Sequence, residues 1–134
     1  MKKNISFFVE KPAFSSIEQA NLISNSLDLF KGKSMVGYMM RFISTFLKAK
    51  ELIENQSIGG IRHFEGTMYI SQLFKEGKGW RYDPKLSGGG VVVHQTCHLL
   101  DLLNWFFGYP NKVGAITNSW FSSNVEDHAH IILN

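Results

Sequence analysis

Between Gly88 and Gly108 the chain reads GGGVVVHQTCHLLDLLNWFFG, an apolar run that carries His94, His98 and Asp101. On a helix, residues three and four apart share a face, so these three side chains would line up. Three readings suit that arrangement. Two imidazoles four apart are a known zinc pair, with Asp101 or a distant His128 as a third ligand. A single imidazole is a general acid–base at neutral pH, because its unperturbed pKa lies close by. The plainest reading is a core helix with its histidines satisfied, since Val91–Val93, Leu99, Leu100, Leu102, Leu103, Trp105 and Phe106 supply a broad apolar surface. The zinc reading is the weakest, and no metal is expected. Cys97, the one cysteine, reads as a buried and inert thiol.

A second group to weigh lies far upstream. Lys11 stands between Glu10 and Pro12, just past the apolar run Ile5–Val9. The carboxyl ends of parallel strands are where open α/β sheets bind ligands. A solvated lysine after a strand is the competing and commoner outcome. Arg41 in MMRF and Arg81 in GWRYDP are candidate contacts for an anion or a sugar hydroxyl, and Trp80 and Tyr82 are candidate pocket walls. For each of these, surface or packing roles compete. Glu126 and Asp127 read as structural residues at a strand start.

The elements that must position these groups follow from periodicity and punctuation. Ile5–Val9 reads as a short buried strand ended by Pro12. Ser15 followed by Glu18 is a capping-box pattern opening a helix whose apolar stripe is Ile17, Ala20, Leu22, Ile23, Leu27 and Phe30, with Gly32 as its stop. SMVGYMM reads as a second strand, which completes a βαβ unit and favours parallel pairing. STFLKAKELIENQ is an amphipathic helix, Ser57–Gly60 a turn, and IRHFEGTMYISQLF a long strand with one wet face. KEGKGWRYDPKLSGGG is a long polar loop, a kind that often carries function. A helix from Gly90 to Phe107 is stopped by Gly108 and Pro110. KVGAITNSWF and EDHAHIILN read as two strands that could pair as a hairpin. The opening half of a βαβ layer and the final apolar strand together suggest a piece of a larger design, or a chain that needs a partner.

Bulk properties narrow the function classes. The chain has 134 residues, 44% hydrophobic and 19% charged, which fits one globular domain or parts of two. Its net charge of +3 is spread along the chain, so nothing points to nucleic acid. No run approaches the length of a membrane span, and Glu10-Lys11-Pro12 breaks the N-terminal apolar run too early for a signal peptide. One cysteine allows no internal disulfide, and a cytoplasmic setting is expected.

Six segments in order, VEKPAFSSIEQA, GYMMRF, AKELIENQSIGGI, GWRYDPKLSGGG, QTCHLLDLLNWFFGYPNKVGA and VEDHAHIIL, resemble the Gfo/Idh/MocA family, the glucose-fructose oxidoreductase and inositol dehydrogenase type. The resemblance runs from Phe8 to Leu133. It implies an α/β to α+β chain: the last βαβ portion of a Rossmann-like domain, then part of an open, largely antiparallel sheet with helices on one face. Residues 1–40 would be the C-terminal remnant of the NAD(P)-binding domain. Residues 41–134 would be a partial substrate and oligomerisation domain.

By that resemblance, Glu10, Lys11 and Pro12 lie beside the nicotinamide of NAD or NADP, with the Lys11–Pro12 bond in the cis form. Lys11 and His98 are the catalytic pair, and His94, Arg41, Trp80, Arg81 and Tyr82 are substrate contacts. The implied partners are a sugar-like or cyclitol substrate and further copies of the chain through the open sheet, with no membrane. Two departures matter. No G-x-G-x-x-G turn occurs in the sequence, and Gly88–Gly90 lies in the wrong context for one, which argues against strong NAD(P) binding by this chain alone. His94 also stands where the family commonly has an aspartate. Asp101, one turn beyond His98, is expected to support the helix or to bond His98.

Overall fold

The structure is a computed structural model that describes residues 5–27, 29–70 and 78–134. It opens with the expected βαβ unit. Strand β1 (Phe7–Val9) pairs in parallel with β2 (Ser34–Val36), in the register Phe7↔Ser34, Phe8↔Met35 and Val9↔Val36. Helix α1 (Ile17–Leu27) makes the crossover. Its cap is Ser16, one residue later than Ser15: the Ser16 hydroxyl accepts from Gln19 N–H at 3.3 Å, while Gln19 Oε1 accepts from Ser15 N–H at 3.2 Å, one residue ahead of the cap. Ser15-x-x-Glu18 and Ser16-x-x-Gln19 both fit the capping pattern, so neighbouring serines compete for the cap at this sequence. Of the anticipated stripe, Ala20, Ile23 and Phe30 turn inward, while Ile17, Leu22 and Leu27 stay exposed.

The second strand is shorter than SMVGYMM. After Gly37 the chain curls, with Tyr38 N–H donating to Val36 O and Met39 N–H to Gly37 O, and continues as a 3₁₀ turn over Met39–Phe42. Helix α2 (Ser44–Glu54) follows. It ends with Gln56 at φ 52° and a bond from Ser57 N–H to Leu52 O, which satisfies a carbonyl of the last turn.

The expected strand over 61–74 is corrected. Residues 61–70 form no strand, and 71–74 lie outside the described residues. Alternation alone does not make a strand; ladder bonds to a neighbour do, and no described strand lies beside this segment. It packs instead against Phe107, with the Phe64 and Phe107 rings 5.6 Å apart.

The polar stretch before the glycines is partly ordered. A 3₁₀ turn over Trp80–Tyr82 leads to the single-turn helix α3 (Pro84–Ser87). Asp83 caps α3 by accepting from Lys85 N–H at 2.9 Å, and Pro84 takes the first helical position. A π-helical segment, Val92–Thr96, then runs into α4 (Cys97–Phe107), and Gly108 stops it at φ 84°.

The hairpin is present. Strands β3 (Val113–Asn118) and β4 (His128–Leu133) pair antiparallel from Val113↔Leu133 to Asn118↔His128. The connecting loop is longer than SSNV, because the Asp127 carboxylate accepts the N–H groups of Trp120, Phe121 and Ser122. Those three bonds outweigh the effect of burial and hold its pKa below the usual carboxylate value.

Packing is thin. The buried apolar side chains among the described residues are Val91, Leu102 and Val125. Every residue of β3 is exposed. The chain presents 10326 Å² to solvent, against about 7,100 Å² for a folded monomer of this mass. No helix among the described residues is long and apolar enough to cross a membrane.

Candidate active site

The end of β1 delivers Glu10, Lys11 and Pro12 to the floor of a cleft of about 820 Å³. The Lys11–Pro12 bond is cis. Trp80, Arg81 and Tyr82 line it together with His94 and Gln95. Lys11 Nζ donates a hydrogen bond to the His94 carbonyl, linking residues 83 positions apart. That carbonyl lies in the π-helical turn, where the wider spiral replaces the regular α ladder; such turns recur at functional sites.

The two histidines occupy different ground. The His94 ring lies at the cleft, edge-on to Trp80 at 5.6 Å. Its Nε2 is buried without a hydrogen-bond partner. Burial, Arg81 and Lys11 push its pKa below the ordinary imidazole value, and Glu126 opposes them. His98 is only 8% exposed and does not line the cleft; it sits one turn further along, edge-on to Tyr38 at 6.2 Å. Its Nδ1 is also buried without a partner. Burial and Lys11 lower its pKa, against Asp101 and Glu10. Both imidazoles are therefore held neutral.

This has a consequence for acid stability. The imidazoles of the unfolded chain titrate near 6.5, above the folded values. Below 6.5 the unfolded state takes up more protons, so stability is complete above that pH and is lost as pH falls through the depressed folded values. The melting temperature is expected to drop between about pH 7 and pH 5. The double variant His94→Gln, His98→Gln should flatten that drop. A wild-type melting temperature that stays level over the same range would count against the neutral pair.

Arg41 and Asp101 do something else. The Arg41 fork bonds both Asp101 oxygens, at 2.7 and 2.6 Å, and its guanidinium lies 5.9 Å from the Trp105 ring. Lys50 Nζ donates to Trp105 O at 2.6 Å. Together these bonds tie the 3₁₀ turn and α2 to α4. Arg41 is not among the residues lining the cleft, and the Asp101 carboxylate goes to Arg41 rather than to His98. Asp101→Asn should lower stability by about 1–2 kcal/mol, the lower range for a charged bond because Arg41 is partly in water. Urea midpoints check this, and a loss under about 0.3 kcal/mol would make the pair incidental.

Glu126 closes the helix start. Its carboxylate accepts from Gly90 N–H at 2.7 Å and Val92 N–H at 3.1 Å, and its own carbonyl accepts from Val91 N–H at 2.8 Å. The glycine run is thus packed on protein: a Cβ on Gly88 would meet Ser15 O at 2.8 Å, and one on Gly90 would meet Glu126 O at 1.9 Å. These N–H groups do not suit a pyrophosphate, since the carboxylate and backbone carbonyl of Glu126 already hold them. Glu10, Lys11 and Pro12 stand open to the cleft at a strand end, the side of an open α/β sheet where ligands bind. Among the described residues no three His, Cys, Asp or Glu side chains gather as a metal would require. Cys97 is half-buried, and burial pushes its thiol pKa up.

Reading the sequence missed Tyr38 and the reach of Glu126. Tyr38 lies inside the GYMMRF segment, and its contact with His98 carries no local signal. The Glu126 contact was hidden by its 36-residue separation from Gly90.

A profile described as the GFO/IDH/MocA C-terminal domain matches residues 46–134. The chain belongs to the GFO/IDH/MocA family. Among curated relatives, an uncharacterized oxidoreductase of Schizosaccharomyces pombe is 35% identical over 109 residues, covering 79% of this chain and 28% of that protein. The human glucose-fructose oxidoreductase domain-containing protein 2 is 27% identical over 113 residues, covering 84% of this chain and 29% of that protein. A solved levoglucosan dehydrogenase, in complex with NADH and levoglucosan, superposes with a TM-score of 0.85 at 21% identity, covering 95% of this chain and 37% of that one. This GFO/IDH/MocA chain therefore spans well under half the length of each of these proteins. Its fold is that of the family: the parallel β1–α1–β2 unit is Rossmann-like, and the remainder is a partial mixed α/β domain.

Proposed function

We propose that this chain forms the substrate-side part of a nicotinamide-dependent oxidoreductase site that acts on a sugar-like or cyclitol hydroxyl or carbonyl. One observation carries the reading. Lys11, at a strand end, is bonded to the helix that bears His94 and His98, and His98 keeps an unpartnered nitrogen one turn from the cleft. In this reading, residues 1–40 belong with the cofactor-binding region and 41–134 with the substrate domain; the profile match over 46–134 supports the second part.

NAD or NADP, when bound, supplies the hydride acceptor or donor. Lys11 holds the reacting oxygen and polarises it. His98, kept neutral by burial one turn from the cleft, exchanges the hydroxyl proton through an intervening water. His94 adds a neutral hydrogen-bonding group where a carboxylate would have added charge. Trp80, Arg81 and Tyr82 grip the polyol. The setting proposed is cytoplasmic.

Histidine proton resonances during titration with a panel of polyols test this, alongside nicotinamide absorbance with NAD⁺ or NADP⁺ supplied. Shifts at both His94 and His98 support the site. A panel in which no polyol moves either residue removes it. A second reading, a non-catalytic module that pairs through its open sheet, is favoured by the exposed β3 and the large apolar surface. Polyol binding without nicotinamide reduction, together with self-association in sedimentation, would select it.

A further inference from the structure

The charges around the cleft are unbalanced. Lys11, Lys78 and Arg81 line it, against one lining carboxylate, Glu10. Lys11 is already held by the His94 carbonyl. Among the described residues, no carboxylate lies within ion-pair distance of Lys78 or Arg81; the ion pairs present are Arg41–Asp101, Lys48–Glu51 and Lys50–Glu54. Arg81 is not splayed into solvent at random. Its guanidinium lies 5.1 Å from the centre of the Trp80 ring, and the edge of that ring meets His94 at 5.6 Å. The wall therefore presents, in sequence, a planar cationic fork, an aromatic plate and a neutral imidazole. Arginine's fork matches the two oxygens of a carboxylate or phosphate, and stacking on an aromatic ring pre-organises it for that contact. An aromatic plate beside it suits the apolar face of a ring-shaped polyol.

We propose that the polyol taken by this cleft carries an oxyanion, a carboxylate or a phosphate, which Arg81 binds while Lys78 adds positive potential. The inference rests on the polyol reading above and gives it a charge. It makes Arg81 a specificity-determining residue: it selects the substrate and leaves the proton transfer to others. A neutral hexose would leave two cations facing an empty part of the cleft. An acidic or phosphorylated one pairs them.

Titrating the full chain with D-glucose, D-glucuronate, D-glucose 6-phosphate and inorganic phosphate, followed by tryptophan fluorescence, tests this. At least one sugar anion is expected to bind about tenfold or more tighter than glucose, the size of one charged hydrogen bond. Whichever anion leads identifies the oxyanion. Arg81→Gln should bring its affinity down to that of glucose, and Arg81→Lys should recover part of the difference; Arg81 is exposed, so neither change threatens the fold. Equal binding of glucose and both anions overturns the proposal and leaves the polyol reading standing. So does an anion preference that survives Arg81→Gln. Inorganic phosphate binding as tightly as glucose 6-phosphate also overturns it, since the cations would then serve a free anion. Failure of every sugar to bind removes both readings.

Discussion

Under the proposed function, and with a complete NAD(P)-binding region joined to the chain, His98→Gln is expected to lower turnover in nicotinamide reduction by about 10²–10⁴-fold, with polyol affinity nearly unchanged. Glutamine keeps the side chain's reach and polarity but cannot accept and return a proton near neutral pH. The split between turnover and binding separates this from a structural role. His98 is 8% exposed, so a purely structural defect would weaken binding and stability together with turnover. The pH profile gives a second readout. The wild-type profile should show a limb below the ordinary imidazole pKa, in line with burial and Lys11 as the causes of the downward shift. That limb should vanish in His98→Gln. A variant that turns over within about threefold of wild type would assign the proton transfer elsewhere.

Gly90→Ala is expected to be the most destabilising single-methyl change at the helix start. The added Cβ would stand 1.9 Å from Glu126 O, 2.8 Å from its carbonyl carbon and 2.9 Å from its nitrogen. All three are backbone atoms, so no side chain can swing aside. Relief requires the glycine run to part from residue 126, which breaks the bonds from Gly90, Val91 and Val92 N–H to Glu126. Overpacking plus the orphaned N–H groups should cost at least about 3 kcal/mol. Urea unfolding measures it. Gly108→Ala is the control: no atom stands near a Cβ there, although the positive φ of 84° still strains it. A Gly90→Ala loss under about 1 kcal/mol would mean that this close approach is not maintained in solution.

Much of the fold was legible because its signals are local. The βαβ unit followed from apolar runs and their spacing. The stop at Gly108 followed from glycine's freedom at positive φ, and the β3–β4 hairpin from two alternating runs close in sequence. The resemblance carried by six segments pointed to the family before any coordinate did. Two local signals misled. The cap of α1 moved from Ser15 to Ser16 because neighbouring serines and Glu18 or Gln19 fit the same motif. IRHFEGTMYI alternated like a strand yet formed none, because alternation describes which side chains face water and says nothing about a partner for the backbone.

For the site, the sequence by itself determined which groups could do chemistry: an amine at a strand end, two imidazoles on one helix face, and an arginine beside tryptophan. It could not say which of them meet. Tertiary structure decided that Lys11 bonds the carbonyl of His94, that Arg41 is committed to Asp101, and that Glu126 holds the N–H groups at the helix start. Tertiary structure also separated the two histidines, one at the cleft wall and one beneath it. The reason is physical. Side-chain type and short-range spacing set what a residue can donate, accept or titrate. Contacts between residues 36, 60 and 83 positions apart depend on how the whole chain closes, and no local pattern encodes them.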